Sequence, residues 1–214
     1  LLHDWSVKLK NGDGPPPLLI YGSPYHTHDP TNNSDNNRWF ERHESEMRDG
    51  KPSLRAIFAH IPNETDVLLT HAGPYGILDK TGGSPSTALG SSALKERIDA
   101  LPHLAVHAFG HVHATQTCPN GYTTAVTVEA TRKHAGEIVP VKKCNGKDVR
   151  AVKDTHGCIF ANAAGAKVGA GDLRHKDEDD PSGWQRAPLV LKLDHDGTRW
   201  NARPLPIGGA TVVD

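Results

Sequence analysis

Two short motifs hold residues whose types and spacing could do chemistry. The first is Thr70-His71-Ala72-Gly73-Pro74 and the second is Gly110-His111-Val112-His113. Histidine is the commonest metal ligand and a frequent acid or base. Two residues apart on an extended segment, side chains point the same way, so His111 and His113 can aim at one space. Gly110 lets the backbone turn sharply out of the preceding segment. His71, 40 residues earlier, offers a third imidazole. Three convergent imidazoles suit zinc, manganese, iron or similar ions. The chain carries 14 histidines in 214 residues, more than packing asks for.

The elements that position these residues are readable from the apolar runs. Leu18 to Gly22, between three prolines and Gly22-Ser23-Pro24, predicts a short buried strand. Asp66 to His71 predicts a second, with its histidine at the C-terminal end. Leu104 to Phe109 predicts a third, running straight into Gly110-His111. Between the last two, Ser92 can cap a helix with Leu94, Ile98 and Leu101 on one face, ended by Pro102. Strand, helix, strand at this spacing is a βαβ-like unit, and ligands bind outside the carboxyl ends of such strands. Helices are also expected over Arg38–Met47 and from Pro52 to about His60. Residues 25–37 and 79–91 read as loops, 131–156 as a polar excursion, and 169–183 as a charged loop. Residues 158–163 and 189–193 read as late strands and 197–214 as a tail.

Composition narrows the function classes. A net charge of -1 gives no support to a sequence-independent nucleic-acid binder or a polybasic membrane patch. No run of about 18 apolar residues is present, which argues against a transmembrane helix. Three cysteines without a Cys-x-x-Cys pair disfavour a disulfide scaffold and a zinc ribbon. No secretory signal is visible at Leu1-Leu2-His3-Asp4-Trp5, so a cytoplasmic location is expected over a secreted one. Serine-hydrolase, nucleotide-loop and zincin motifs do not occur.

The two histidine motifs resemble the last two motifs of the calcineurin-like metallophosphoesterases. Ile20-Tyr21-Gly22-Ser23-Pro24 ahead of them, and Phe160-Ala161-Asn162-Ala163-Ala164 and Pro188 to Leu191 after them, resemble the branch of metallophosphoesterase-domain proteins. The resemblance covers most of residues 18–195 but only the C-terminal half of the family's domain. It implies a four-layer αββα sandwich with its N-terminal half missing, in which residues 1–196 are the C-terminal part of the domain. It implies a phosphoesterase in the intact parent, acting on phosphodiesters or phosphomonoesters of small molecules. Two divalent ions ~3.5–4 Å apart hold the phosphate and generate a metal-bound hydroxide that attacks phosphorus in line. Manganese, iron, zinc and nickel are not distinguished. By motif, His71 and His111 ligate the second ion and His113 the first. His26 and His28, just after Gly-Ser-Pro, are candidates for contacting the substrate phosphate, against the blander reading of a solvated loop. No nucleic-acid or membrane partner is implied.

The chain departs from the family in its first half. The carboxylate-bearing Asp-x-His, Gly-Asp and Gly-Asn-His motifs do not precede residue 18, and no Asn-His dipeptide occurs anywhere. A fragment is the simplest expectation. The alternative function is then a catalytically inactive remnant or interaction module. Asp154-Thr155-His156 and Gly171-Asp172 superficially resemble the missing motifs in permuted order. The weak strand before Asp154 and the lack of one before Asp172 favour coincidence.

Overall fold

The computed structural model describes residues 4–10, 12–27, 39–79, 88–112, 149–154, 156–163, 190–205 and 211–213. In chain order the elements are β1 (Trp5–Leu9), β2 (Leu18–Ser23), β3 (His26–Thr27), β4 (Glu41–Arg42), α1 (Leu54–Phe58), β5 (Val67–Thr70), α2 (Ser92–Asp99), β6 (Val106–Phe109), β7 (Val149–Lys153), β8 (Ile159–Asn162), β9 (Leu191–His195), β10 (Trp200–Pro204) and β11 (Thr211–Val213). The class is mixed α/β, with few helices.

A seven-stranded mixed sheet dominates, in the order β1-β2-β5-β6-β8-β7-β11. Its centre is four parallel strands: β2 pairs β5, β5 pairs β6 and β6 pairs β8, all parallel. β1 runs antiparallel to β2 and β7 antiparallel to β8, while the edge strand β11 runs parallel to β7. Continuous apolar runs form the centre because both faces of such strands are covered.

One face is packed by the helices. Tyr21, Leu68, Phe109 and Phe160 meet Leu54, Ile57, Phe58, Leu94, Ile98 and Leu101 in one buried cluster. Each helix starts at a serine whose hydroxyl accepts from a backbone N–H in the first turn, Ser53 from Ala56 and Ser91 from Leu94. Pro52 therefore precedes the cap of α1 instead of opening its first turn. Glu44 strengthens the start of α2: its Oε2 accepts from Ala93 N (2.9 Å) and from the Ser91 and Ser92 hydroxyls. A carboxylate is favoured there by the helix dipole. The opposite face of the sheet is partly covered by the β9–β10 hairpin, where Leu18, Val67, Val106, Ile159 and Ala161 pack with Ala202 and, less deeply, Leu191, Leu193 and Trp200.

Several expectations are corrected. No helix forms in the described part of Arg38–Met47. Trp39 (79% exposed) and Met47 (72%) leave the supposed apolar face in solvent, and Glu41–Arg42 instead pairs with His26–Thr27 as β4 and β3. Residues 149–153, expected within a polar excursion, are a strand of the main sheet. Residues 197–214, expected as a tail, supply β10 and β11. The charged loop at 169–183 lies outside the described residues.

Asp66 ties the N-terminal ends of three strands together. Its Oδ2 accepts from Leu19 N (2.8 Å), and its carbonyl accepts from Ala105 N (2.8 Å). Burial raises its carboxyl pKa, against the opposing pull of the Leu19 N–H and of His103 and His195. A raised folded-state pKa favours the folded protein while the group is protonated and costs stability as pH rises through that value. Asp66→Asn keeps an acceptor for Leu19 and removes the buried charge. Its melting temperature is expected to exceed that of the parent chain at neutral pH, with the gap closing as the pH falls toward the ordinary carboxylate range. Parallel thermal melts across pH check this, and a gap that widens on acidification contradicts it.

Candidate metal centre

The parallel register brings the C-terminal ends of β2, β5 and β6 side by side. His26 lies three residues past the end of β2, His71 one past β5, and His111 two past β6. The three rings cluster. Centroid separations are 4.8 Å for His26–His71, 5.0 Å for His26–His111 and 4.8 Å for His71–His111. His71 Nε2 lies 3.0 Å from His111 Nδ1, one of the two donating to the other. Of the residues expected at the site, His71 and His111 come together, and His113 and His28 lie outside the described residues. His26 is 7% exposed and paired in β3, which excludes the solvated-loop reading.

Backbone contacts fix the loops that carry the rings. His71 N donates to Ser23 O (3.2 Å) and Gly110 N donates to His71 O (2.9 Å), so each loop is held to the next. Thr70 donates its hydroxyl proton to Ala72 O (2.6 Å) and lies 2.8 Å from His107 Nε2. With the hydroxyl proton committed, His107 is the donor in that second contact. His107 is fully buried against the rings of Phe109 and Phe160, so it braces the His71 turn from the core. Asn162, at the end of β8, donates to Val112 O (2.9 Å) and Leu78 O (3.3 Å) from a buried position. It thereby holds the turn after His111.

His111 itself sits at φ 66°, with Val112 N donating to Gly110 O at 2.7 Å. That i→i+2 bond around a positive φ is the strained form of γ-turn. Non-glycine residues in such regions persist only where their surroundings over-determine them, and they cluster at functional sites. Gly73 explains its own place in the first motif. A Cβ there would lie 2.5 Å from the Phe109 ring, closer than any side chain tolerates.

The electrostatics suit ligands more than cations. Burial, then repulsion from His111 and His26, lowers the His71 pKa to about 4. His26 is also lowered, chiefly by burial, against the Thr27 carbonyl. Both rings are neutral at physiological pH and carry a lone pair, as metal ligation requires. Among the described residues no three His, Cys, Asp or Glu side chains form a ready-made metal site. The pair itself fits one ion. Two nitrogens bound at ~2.0–2.1 Å with an angle of roughly 90–109° lie about 2.9–3.4 Å apart, which brackets the observed 3.0 Å.

Topology sets Asp154 and His156 apart from the histidine cluster, in line with coincidence. Asp154 and His156 belong to the turn joining β7 to β8, at the end where β8 begins. His111 follows β6, which is parallel to β8, so it lies at the opposite end of the sheet. Asp154 Oδ1 accepts from His156 N (3.0 Å) and Cys158 N (2.8 Å), a turn-stabilising role. Asp172 lies outside the described residues.

No protein-family profile matches this chain. Among curated proteins, the UPF0046 protein K07C11.7 of Caenorhabditis elegans is 33% identical over 87 residues, 40% of this chain and 29% of that protein. The match therefore spans less than a third of that relative's length. No solved structure matches.

Gly73→Ala is expected to push the Phe109 ring aside and loosen the linked His71 and His111 loops, with a loss of about 1–3 kcal/mol typical of overpacking. Denaturant unfolding measures the cost. Unchanged stability means that the ring yields without strain.

Proposed function

We propose that this chain is part of a metal-dependent phosphoesterase of the calcineurin-like type, with its metal centre at the carboxyl ends of β5 and β6. The observation that carries the reading is the 3.0 Å approach of His71 Nε2 to His111 Nδ1. These are the two histidines of separate motifs, 40 residues apart, that the resemblance assigns to one ion. The position agrees with the rule that ligands bind beyond the carboxyl ends of parallel strands.

The four-layer sandwich is part of the same proposal. The sheet face opposite the helices is only partly covered by the β9–β10 hairpin. Leu69 (39% exposed), Val7 and Leu9 stay open on or beside it. A second sheet packed against that face would complete the expected architecture. His113 and ligands from further segments would hold a second ion.

A divalent ion at such a centre supplies Lewis-acid polarisation of phosphoryl oxygens and lowers the pKa of water toward neutrality. The chain's own residues do the rest. His71 Nε2 and His111 Nδ1, 3.0 Å apart, would each turn a lone pair toward an ion placed between them. The Thr70–His107 contact and Asn162 keep both loops from shifting when an anion binds. Neutral imidazole ligands would leave the ion's positive charge uncompensated, which favours an anionic substrate such as a small phosphoester.

In the protein that contains this chain, His71→Ala, His111→Ala and His113→Ala are each expected to lower kcat/KM on an aryl phosphodiester by about a hundredfold or more, since even outer-shell changes cost 10–100-fold. Hydrolysis that persists in these variants, or in excess chelator, rejects the reading. A protein that binds metal through these residues yet hydrolyses no phosphoester favours the inactive-module alternative.

A further inference from the structure

The two edges of the main sheet are built differently. β11 ends one side with three residues and a register shift against β7. β1 ends the other with five residues in unbroken register with β2. Edge strands are ordinarily blunted by shortness, a bulge, proline or charge, because their outer N–H and C=O groups invite another strand. β1 carries no proline and a single charge, Lys8. It is exposed along its length, with Trp5, Val7 and Leu9 alternating with Ser6 and Lys8. Among the described residues no strand pairs with its outer edge.

We propose that β1 is a docking edge for a second copy of this chain, the two strands pairing antiparallel about a two-fold axis at Val7. The residues around β1 are complementary to themselves in that one register. Val7 faces Val7 of the second copy, Trp5 faces Leu9, and Ser6 faces Lys8. One residue beyond each end of the strand, Asp4 faces Lys10, and the symmetry makes this opposite-charge pair twice. Directly opposite residues of an antiparallel pair share a face, where apolar and opposite-charge pairs are favourable and like charges are not. A slip of two residues one way sets Lys8 against Lys8. The other way takes Lys10 from Asp4 and leaves Leu9 with no strand residue opposite. A slip of one puts the two apolar faces on opposite sides of the joined sheet. Asp4 is steadied where this register needs it. The Tyr21 hydroxyl donates to its Oδ1 (3.4 Å), and Tyr21 stands opposite Ser6, on the face of β1 that carries Lys8.

A two-fold contact of this kind closes on itself and stops at two copies. It runs in the plane of the sheet, so it is compatible with a second sheet on the face beside the β9–β10 hairpin. It uses none of the clustered histidines, and its failure leaves the proposed function untouched.

Sedimentation velocity of the 214-residue chain, over a dilution series reaching about 0.1 mM, tests the proposal. A monomer–dimer equilibrium is expected. A chain that is monomeric throughout, or that forms open-ended assemblies, overturns it. Asp4→Lys and Lys10→Asp each set like charges opposite one another twice, and each is expected to weaken dimerisation by about tenfold or more at low salt. The double variant restores opposite charges and is expected to regain most of that loss. Lys10→Asp variants that dimerise as tightly as the parent, or a double variant no tighter than the singles, overturn the register. Hydrogen exchange on the unmutated chain supplies a second measurement. The amides of β1 are expected to gain protection as concentration rises. Protection gained elsewhere with β1 unchanged means association through another surface and rejects the inference.

Discussion

The parallel pairing of β2, β5 and β6 is the constraint on which everything at the candidate centre depends. Ile20, Val67 and Val106 stand in one row across these strands, and Gly22, Leu69 and Ala108 in another two residues further along. Because all three strands run the same way, the residues just past each end fall at one edge of the sheet. A slip of one residue in any pairing would turn the apolar side chains to the wrong face. The buried clusters on both faces therefore hold the register, and the register holds the rings. Placement of chemistry here is a by-product of hydrophobic packing.

Within that frame, the loops are stiffened by contacts that reach inward. His107 is inside the helix-side core and touches Thr70, one residue before His71. Asn162 reaches from β8 to the carbonyl after His111. Gly73 lets the first loop lie flat on Phe109, the last residue of β6. Each contact joins the end of one strand to the loop of another. The strained backbone at His111 is tolerable because these neighbours leave it little choice.

Much of this was legible in the sequence. The runs at Leu18, Val67, Val106 and Ile159 are apolar on both faces, so they announced buried strands, and the histidines at two of their ends marked where the candidate site would be sought. The βαβ spacing gave the adjacency of β5 and β6. What stayed hidden was polar or exposed. β1 alternates apolar and polar residues yet is exposed along its length, so no burial pattern marked it. β4 was mistaken for a helix because Trp39, Phe40, His43 and Met47 match helical spacing by chance. His26 sat in a polar stretch with the composition of a loop. Its place just after a predicted strand end was the clue that made it a candidate. The β9–β10 hairpin carried a usable signal, Asp196-Gly197 between alternating residues. Gly197 adopts φ 99°, and Asp196 Oδ1 accepts from Thr198 N and Arg199 N in that turn.

The bond from Gly110 N to His71 O has a consequence for ionic size. It joins the two loops by main chain, which cannot stretch as a long side chain can. Under the proposed function, the nitrogen pair it spaces would suit a compact cation with short bonds. Calcium takes oxygen ligands at about 2.3–2.6 Å in larger shells. A rigid nitrogen pair of this span would offer it neither the atoms nor the room, so at the proposed centre the main-chain link would favour a small cation over a large one.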